Sequence, residues 1–273
     1  MNFSVLMSLY YKEKPSYLDE CFKSLHNQTK PADEIIVVFD GPVGNELEAI
    51  VERWCDFLPV KIVRLAENVG LGNALNIGVE HCSYDVVARM DTDDICLPFR
   101  FETQLKKFHD DPELSVLGSD VDEFDGDMCV FLGRKLVPYL DGDIKKYLKK
   151  RNPFNHMTVF FRKSAIISVG GYQHHMYMED YYLWLRCASA GYKMQNIDDV
   201  LVNVRAGNAM LSRRRGGSYI KSEYLLMKRK MALGLTGVTD GIRYFLLRSI
   251  MRLLPVNLLS LVYKNLFRKK CLN

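Results

Sequence analysis

The first 120 residues alternate between short apolar runs and longer amphipathic runs. The apolar runs are rich in β-branched residues and predict four strands, Phe3–Leu9, Glu34–Phe39, Val60–Leu65 and Asp85–Met90. The amphipathic runs repeat their apolar positions at helical spacing and predict helices over 16–27, Asn45–Phe57 and Leu71–His81. Ser16 and Asp19 form an N-cap signal for the first helix. This order predicts a β-α-β sheet whose strands are mainly parallel.

A less regular region follows residue 120. Its pattern predicts a hairpin near Val121–Val137, a lysine-rich helix near Asp141–Lys150 and a strand at Thr158–Arg162. Beyond Gly216 the pattern is helical almost to the end, with Pro255 dividing the last stretch. We therefore predict an α/β domain over residues 1–205 and a helical tail over residues 206–273.

Composition and charge narrow the class of protein. The 273 residues are 48% hydrophobic and 26% charged, which is typical of a globular protein and excludes whole-chain disorder, collagen and coiled coil. The seven cysteines include no C-x-x-C pair and predict thiols in a reducing cytoplasm. We find no signal-peptide pattern at the N-terminus and expect no export.

Charge is unevenly distributed between the two predicted parts. The net charge of +4 divides into −9 over residues 1–204 and +13 over residues 205–273. A basic tail of this kind predicts a polyanionic partner, either a membrane surface or a nucleic acid.

Three carboxylates follow the fourth predicted strand in Asp91-Thr92-Asp93-Asp94. Carboxylates this close repel one another unless a cation neutralises them. At the carboxyl end of a parallel strand an Asp-x-Asp pair can hold Mg²⁺ or Mn²⁺ against a diphosphate. The alternative is a solvated acidic turn that caps the next helix.

Two further carboxylates, Glu179 and Asp180, open an amphipathic helix. Asp180 is a candidate general base if the fold brings it near the metal and an acceptor hydroxyl. The alternative is a pair of acids that compensate the helix dipole.

A third segment, Gly70-Leu71-Gly72, suggests a dinucleotide-binding loop. Leu75, however, stands where the third small residue of that motif is expected. A Rossmann dehydrogenase is therefore a weaker alternative.

These segments together resemble bacterial family 2 glycosyltransferases of the GT-A fold, which build O-antigen, capsule or exopolysaccharide repeat units. The resemblance covers about residues 3–205. It is carried by Ser4–Tyr10, Ile35–Gly41, Asn68–Gly78 with Asp91–Asp94, Gly170–Tyr172 and Glu179–Arg186. No Gln-x-x-Arg-Trp motif of processive synthases follows Asp180, which favours transfer of one sugar.

The resemblance implies an inverting transfer of a hexose, with galactose as first candidate, from a UDP-sugar to a saccharide on undecaprenyl diphosphate. It assigns nucleotide contacts to Ser8, Tyr10, Asp40 and Asp91, the Mn²⁺ or Mg²⁺ site to Asp93 and Asp91, and the role of base to Asp180 with Glu179 beside it. Pro42 departs from the family's Asp-Gly-Ser and leaves the contacts beyond Asp40 open. Two alternatives are a polyprenyl-phosphate glycosyltransferase and an inactive sugar-nucleotide-binding subunit.

Three histidines, His156, His174 and His175, are candidates for the acceptor site, although a lone histidine is more often structural.

The uncharged run Leu253–Tyr263 is too short to span a bilayer, but the pattern after Pro255 predicts an interfacial amphipathic helix ending in Arg268–Lys270. The alternative is a helix packed on the domain. Because charge and apolar residues are interleaved there, we favour an anionic membrane over nucleic acid, despite Arg213–Arg215. We expect a peripheral enzyme at the cytoplasmic face of the inner membrane.

Overall fold

The computed structural model describes residues 1–206 and 216–253. Nine strands lie in this part of the chain: β1 Phe3–Leu9, β2 Glu34–Phe39, β3 Val60–Arg64, β4 Val86–Arg89, β5 Ile95–Cys96, β6 Leu114–Phe124, β7 Phe131–Lys135, β8 Phe160–Arg162 and β9 Lys193–Arg205. The helices are α1 Pro15–His26, α2 Asn45–Trp54, α3 Leu71–His81, α4 Arg100–Asp110, α5 Asp141–Leu148, α6 Lys163–Ser168, α7 Glu179–Ser189, α8 Gly217–Ala232 and α9 Val238–Leu253, with a 3₁₀ turn at His156–Thr158.

One sheet joins the strands in the order β3-β2-β1-β4-β8-β6-β9-β5, with β7 paired to β6. Strands β1 to β4 are parallel, as predicted, and the later strands are mixed. The chain runs outward from β1 through β2 to β3 and then returns to place β4 on the other side of β1. The direction of winding therefore reverses between β1 and β4, at the point where open α/β sheets bind ligands.

Both faces of the sheet are covered. Alternate side chains of β1 enter different cores, with Val5 and Met7 on the face packed by α1, α2 and α4, and Leu6 on the face packed by α3 and α7. All six residues of β2 are buried. This explains why the strands read as continuous apolar runs rather than as alternating ones.

Several predicted boundaries differ from those observed. The N-cap prediction at Ser16 is wrong, because α1 begins at Pro15 with Lys14 at the N-cap and no side-chain cap. Pro15 has no N–H to satisfy and suits the first helical position. The side chain of Asp19 instead accepts hydrogen bonds from Arg53 and Trp54. Helix α4 and the long strand β9 were not predicted.

Helices α8 and α9 pack on the α/β domain and on each other. The buried carboxylate of Glu223 in α8 accepts hydrogen bonds from Arg248 and Arg252 in α9. In turn, Lys230 donates to the carbonyl of Lys149 and to the hydroxyl of Tyr181 in α7. Within residues 1–206 and 216–253, no helix has the length and apolar character needed to cross a bilayer. The arginine triplet at 213–215 and the helix predicted after Pro255 lie outside the described residues.

Candidate active site

The candidate site lies at the carboxyl ends of β1 and β4. The two strands are hydrogen-bonded neighbours, and Leu6 of β1 pairs with Arg89 of β4. Ser8 is the second-last residue of β1 and is half-buried, and Tyr10, directly after the strand, is 36% exposed. These two of the four predicted nucleotide contacts therefore lie at the edge of the sheet where the segment after β4 places its carboxylates.

Asp91, Asp93 and Asp94 form one cluster after β4. Each offers a carboxylate oxygen within 4.8 Å of the others. Burial, followed by the charges of Asp91 and Glu13, raises the pKa of Asp93 to about 7. Burial, followed by the charges of Asp93 and Asp91, also raises the pKa of Asp94 well above its usual range. Converging, partly buried oxygens that destabilise one another fit a hard divalent cation such as Mg²⁺ or Mn²⁺.

Residues distant in the sequence hold this acidic segment in place. The backbone N–H of Arg205, at the end of β9, donates to Asp94 Oδ1 at 3.0 Å, and its guanidinium donates to the carbonyl of Asp93. From the segment after β1, Glu13 accepts a hydrogen bond of 2.5 Å from the hydroxyl of Thr92. Sequence reasoning missed Arg205 and Glu13, because neither belongs to a local pattern that points to the acidic turn.

Asp40, after β2, orders the turn that leads into α3. Its Oδ1 accepts from the backbone N–H of Val69 at 2.7 Å, and its Oδ2 accepts from the Asn68 amide at 3.0 Å. The next residue, Gly41, has φ +82°. A Cβ at Gly41 would lie 2.7 Å from the backbone nitrogen of Asn68, so this approach requires glycine.

Glu179 and Asp180 lie at the N-terminus of α7. Asp180 Oδ2 accepts from the Asn152 amide at 2.6 Å, and its Oδ1 accepts from the backbone N–H of Tyr181 at 2.7 Å. Burial raises the pKa of Asp180, while these two hydrogen bonds lower it. Burial and the charge of Asp180 raise the pKa of Glu179 to about 7. Sequence reasoning missed Asn152, since nothing local connects it to Asp180.

Arg89, the last residue of β4, links the two acidic groups. Its side chain is almost fully buried and forms an ion pair with Asp91. Its charge lowers the pKa of Glu179 and of Asp180 across the site. Its Nε and Nη1 have no hydrogen-bond partner among the described residues. Sequence reasoning missed Arg89, although a cation at the end of a hydrophobic strand, two residues before Asp91, is a signal that could have identified it.

The three candidate histidines have different surroundings. His156 Nε2 lies 2.9 Å from the hydroxyl of Tyr172, and burial followed by the charge of Arg89 lowers its pKa well below the usual value. His174 is exposed. His175 is buried, with Nε2 against the carbonyl of Ser222 and Nδ1 against Arg229 in α8. Because both ring nitrogens of His175 are occupied within the chain, it is the least suited of the three histidines to contact an acceptor.

Comparison with known proteins identifies a family and relatives for this chain. Residues 4–167 match the family described as "Glycosyl transferase family 2". Over 96% of the chain and 98% of the relative, the sequence is 52% identical to the "Amylovoran biosynthesis glycosyltransferase AmsE" of Erwinia amylovora. Over 98% of the chain and 97% of the relative, it is 37% identical to the "UDP-Gal:alpha-D-GlcNAc-diphosphoundecaprenol beta-1,3-galactosyltransferase" of Escherichia coli.

A solved structure shares the fold. The crystal structure of S. aureus TarS 1-349 in complex with UDP-GlcNAc superposes with a TM-score of 0.67 and 18% identity, covering 91% of this chain and 72% of that one. At this level of identity the likeness concerns the fold alone.

Proposed function

The chain belongs to glycosyl transferase family 2, and we propose that it transfers one hexose from a UDP-sugar to a lipid-diphosphate-linked saccharide during surface polysaccharide biosynthesis. Galactose is the first candidate, because the Escherichia coli relative is named for UDP-galactose. The observation that carries the proposal is the placement of two acidic groups, Asp91–Asp94 and Glu179–Asp180, around one buried arginine, Arg89. One group suits a metal-bound diphosphate, and the other suits deprotonation of a hydroxyl.

On the donor side, we propose that Ser8, Tyr10, Asp40 and Asp91 contact the nucleotide. Each carboxylate oxygen of Asp40 accepts one hydrogen bond from the Asn68–Val69 turn. Because a carboxylate oxygen has two lone pairs, each retains capacity to accept from a ligand N–H or hydroxyl. Asp40 would thus order its turn and face the nucleotide with the same side chain.

For the metal, we propose that Asp93 and Asp91 hold Mn²⁺ or Mg²⁺, with Asp94 completing the acidic segment. When bound, the ion would stabilise the negative charge that develops on the departing diphosphate. The chain's own contribution is to keep the carboxylates converged, through Arg205 behind Asp93 and Asp94.

On the acceptor side, we propose Asp180 as the general base. Asn152 and the Tyr181 N–H hold its carboxylate in one orientation and favour the ionised form that accepts a proton. Glu179, His156 and His174 would line the approach of the acceptor. The hydroxyl would attack the sugar from the face opposite the diphosphate, which inverts the anomeric centre.

The natural acceptor would be a saccharide on undecaprenyl diphosphate, and the enzyme would act as a peripheral protein at the cytoplasmic face of the inner membrane. Residues 254–273 carry four basic side chains and no acidic one. Near anionic lipid each basic residue contributes about 1 kcal/mol. We propose that this segment holds the active site at the bilayer, without a role for nucleic acid.

The activity is tested by release of UDP and by product analysis. Purified protein is assayed with UDP-galactose, UDP-glucose and their N-acetyl forms, Mn²⁺ or Mg²⁺, and GlcNAc linked through diphosphate to a lipid. We expect a disaccharide product with one of these donors and loss of activity with a chelator. A sugar added directly to polyprenyl phosphate would identify the alternative reaction, and no release of UDP under any condition would identify an inactive subunit.

The base is tested by Asp180→Asn, with Asp110→Asn as the matched control. Loss of a general base costs roughly 10²- to 10⁴-fold in rate, and we expect a fall in kcat of that size while binding of the UDP-sugar is retained. Asp110 is exposed at the end of α4 and its variant should behave as wild type. Retention of most turnover by Asp180→Asn at saturating substrates would assign the base to another residue.

The membrane role is tested by removing residues 254–273. This cut preserves the ion pairs of Arg248 and Arg252 with Glu223 in the folded part. We expect reduced sedimentation with phosphatidylglycerol vesicles and slower transfer to a long-chain lipid acceptor, with transfer to a short soluble acceptor retained. Unchanged vesicle binding would refute the anchor.

A further inference from the structure

A cavity of about 400 Å³ lies between α9 and the segment that follows α5. Five of its lining residues are basic, namely Lys150, Arg151, Arg243, Arg248 and Arg252, and no carboxylate of residues 1–206 or 216–253 lines it. We call this cavity the basic pocket. None of the reaction steps above uses it.

The basic pocket carries an excess of positive charge that its own ion pairs do not cancel. Arg248 and Arg252 share a single carboxylate, that of Glu223. Lys150 and Arg243 make no ion pair within the described residues. Cations collected around one cavity repel each other, and a polyanion that enters the cavity relieves this repulsion.

The wall of the pocket is fixed relative to the proposed base. Arg248 donates to the carbonyl of Lys150 at 3.1 Å, and Lys230 donates to the carbonyl of Lys149 at 3.0 Å. Two residues after Lys150, the Asn152 side chain donates to Asp180 at 2.6 Å. A group bound in the basic pocket therefore lies a short stretch of chain away from the carboxylate that would receive the acceptor proton.

The remaining lining residues are apolar or aromatic. Tyr244, Leu247 and Met251 complete the wall contributed by α9. Leu247 is 54% exposed and adjoins a row of exposed apolar side chains on the same helix, which includes Leu246 and Ile250. The pocket thus combines a cationic interior with an apolar exit along α9.

We propose that the basic pocket binds the diphosphate of the lipid-linked acceptor, while the first part of the lipid leaves along the apolar side of α9. This inference rests on the proposed function and adds the location of the acceptor's diphosphate. In an acceptor with a single sugar, only that sugar separates the diphosphate from the reactive hydroxyl. The proximity of the pocket wall to Asn152 and Asp180 matches that short connection. Arginine and lysine are the side chains that recognise phosphate oxygens.

The test compares two acceptors that carry the same sugar and the same lipid, one joined through diphosphate and one joined as a phosphate-free glycoside. We expect the wild-type protein to use the diphosphate acceptor with at least a tenfold lower KM. In the double variant Lys150→Ala, Arg243→Ala, the KM of the diphosphate acceptor should rise at least tenfold, which removes the preference. The KM of the UDP-sugar should change less than twofold in the same variant.

Two matched variants separate recognition from folding. Lys221→Ala removes an exposed cation of α8 that does not line the pocket and should behave as wild type. The conservative double variant Lys150→Arg, Arg243→Lys should retain the preference for the diphosphate acceptor, because the positive charge contributes more to phosphate binding than the guanidinium geometry does. Farnesyl diphosphate should inhibit the wild-type protein competitively against the acceptor, and inhibit the double alanine variant at least tenfold more weakly.

The outcomes distinguish this inference from the proposed function. If the double alanine variant retains the wild-type preference for diphosphate, the basic pocket is not the diphosphate site. If that variant keeps the preference but loses binding to phosphatidylglycerol vesicles, the cations serve the bilayer, and the inference is equally overturned. Absence of transfer and of UDP release in the wild-type protein would instead refute the proposed function.

Discussion

Gly41→Ala tests whether the turn beside Asp40 is built on a close backbone approach. Gly41 has φ +82°, and a Cβ there would lie 2.7 Å from the nitrogen of Asn68 and 3.0 Å from the carbonyl carbon of Glu67. Gly191 supplies a matched control, because its φ is +83° and no atom lies within 4 Å of the corresponding Cβ position. The two alanine variants share the backbone strain and differ in the steric overlap.

The magnitudes follow from that comparison. A left-handed alanine costs about 1–2 kcal/mol. The lower entropy of the unfolded chain offsets about 0.4–1 kcal/mol of it. Overlap with packed atoms adds roughly 1–3 kcal/mol, and at Gly41 the overlapping atoms are backbone atoms that cannot rotate away. Gly41→Ala should therefore lower the free energy of unfolding by about 1–3 kcal/mol more than Gly191→Ala does.

The assay is urea or thermal unfolding of both variants, combined with the KM for the UDP-sugar. For a domain of this size each kcal/mol corresponds to roughly 2–4 °C of Tm. Because displacement of Asn68 also removes the hydrogen bonds that orient Asp40, Gly41→Ala should raise the donor KM, and Gly191→Ala should not. Equal losses of stability in the two variants would show that the close approach contributes nothing beyond the φ angle.

Three further predictions concern the charged groups of the site. Arg89→Met should reduce kcat/KM at least tenfold and move the acid limb of the pH–rate profile to higher pH, because the charge of Arg89 lowers the pKa of Asp180. Arg89→Lys keeps the charge and should return the acid limb to near its wild-type position. Asn152→Leu should move the acid limb to higher pH and leave the donor KM unchanged, because it removes a hydrogen bond that favours the ionised form of Asp180. An acid limb at the wild-type position would show that Asn152 does not set the pKa of Asp180. The metal-free protein should lose stability as the pH rises from about 4 to about 7, because folded Asp93, with its pKa raised to about 7, holds a proton that the unfolded chain releases. Mn²⁺ should therefore raise the Tm more at pH 8 than at pH 5.5, and an equal rise in Asp93→Asn would place the metal elsewhere.

The first half of the fold could be predicted because its signals are local. Strands β1 and β2 have the predicted bounds, and β4 differs from its prediction by one residue at each end. Helix α3 also has its predicted bounds. Buried parallel strands are continuous apolar runs, and the helices between them keep one apolar stripe. Each of these elements can therefore be predicted from its own residues.

The second half was harder to predict because its strands depend on distant partners. Strand β9 pairs in parallel with β6 over most of its length, although it carries Asp198 and Asp199 in the middle. Those acids break the apolar pattern that would indicate a strand. Helix α4 could have been predicted, because Phe101, Leu105 and Phe108 recur at helical spacing in the sequence. All three side chains are buried in the structure.

The acidic residues of the candidate site were predicted, and the residues that orient them were not. Short acidic motifs that can be recognised in the sequence contain Asp91, Asp93 and Asp180. Arg205 and Asn152 act on them across 112 and 28 positions of the sequence. Such contacts have no periodicity or spacing in the chain and become visible only in the folded protein.

The contact between Arg205 and the acidic segment determines at which stage of synthesis the proposed metal site can reach its final arrangement. All three clustered carboxylates have been synthesised by residue 94, yet the groups that hold Asp93 and Asp94 belong to residue 205. The short strand β5, which directly follows them, pairs with β9 and also waits for it. A nascent chain that has passed the first four strands thus carries its acids without their final arrangement, because long-range pairing must first overcome the entropy of closing a large loop. Metal binding during synthesis would consequently report the docking of β9 rather than the appearance of the aspartates.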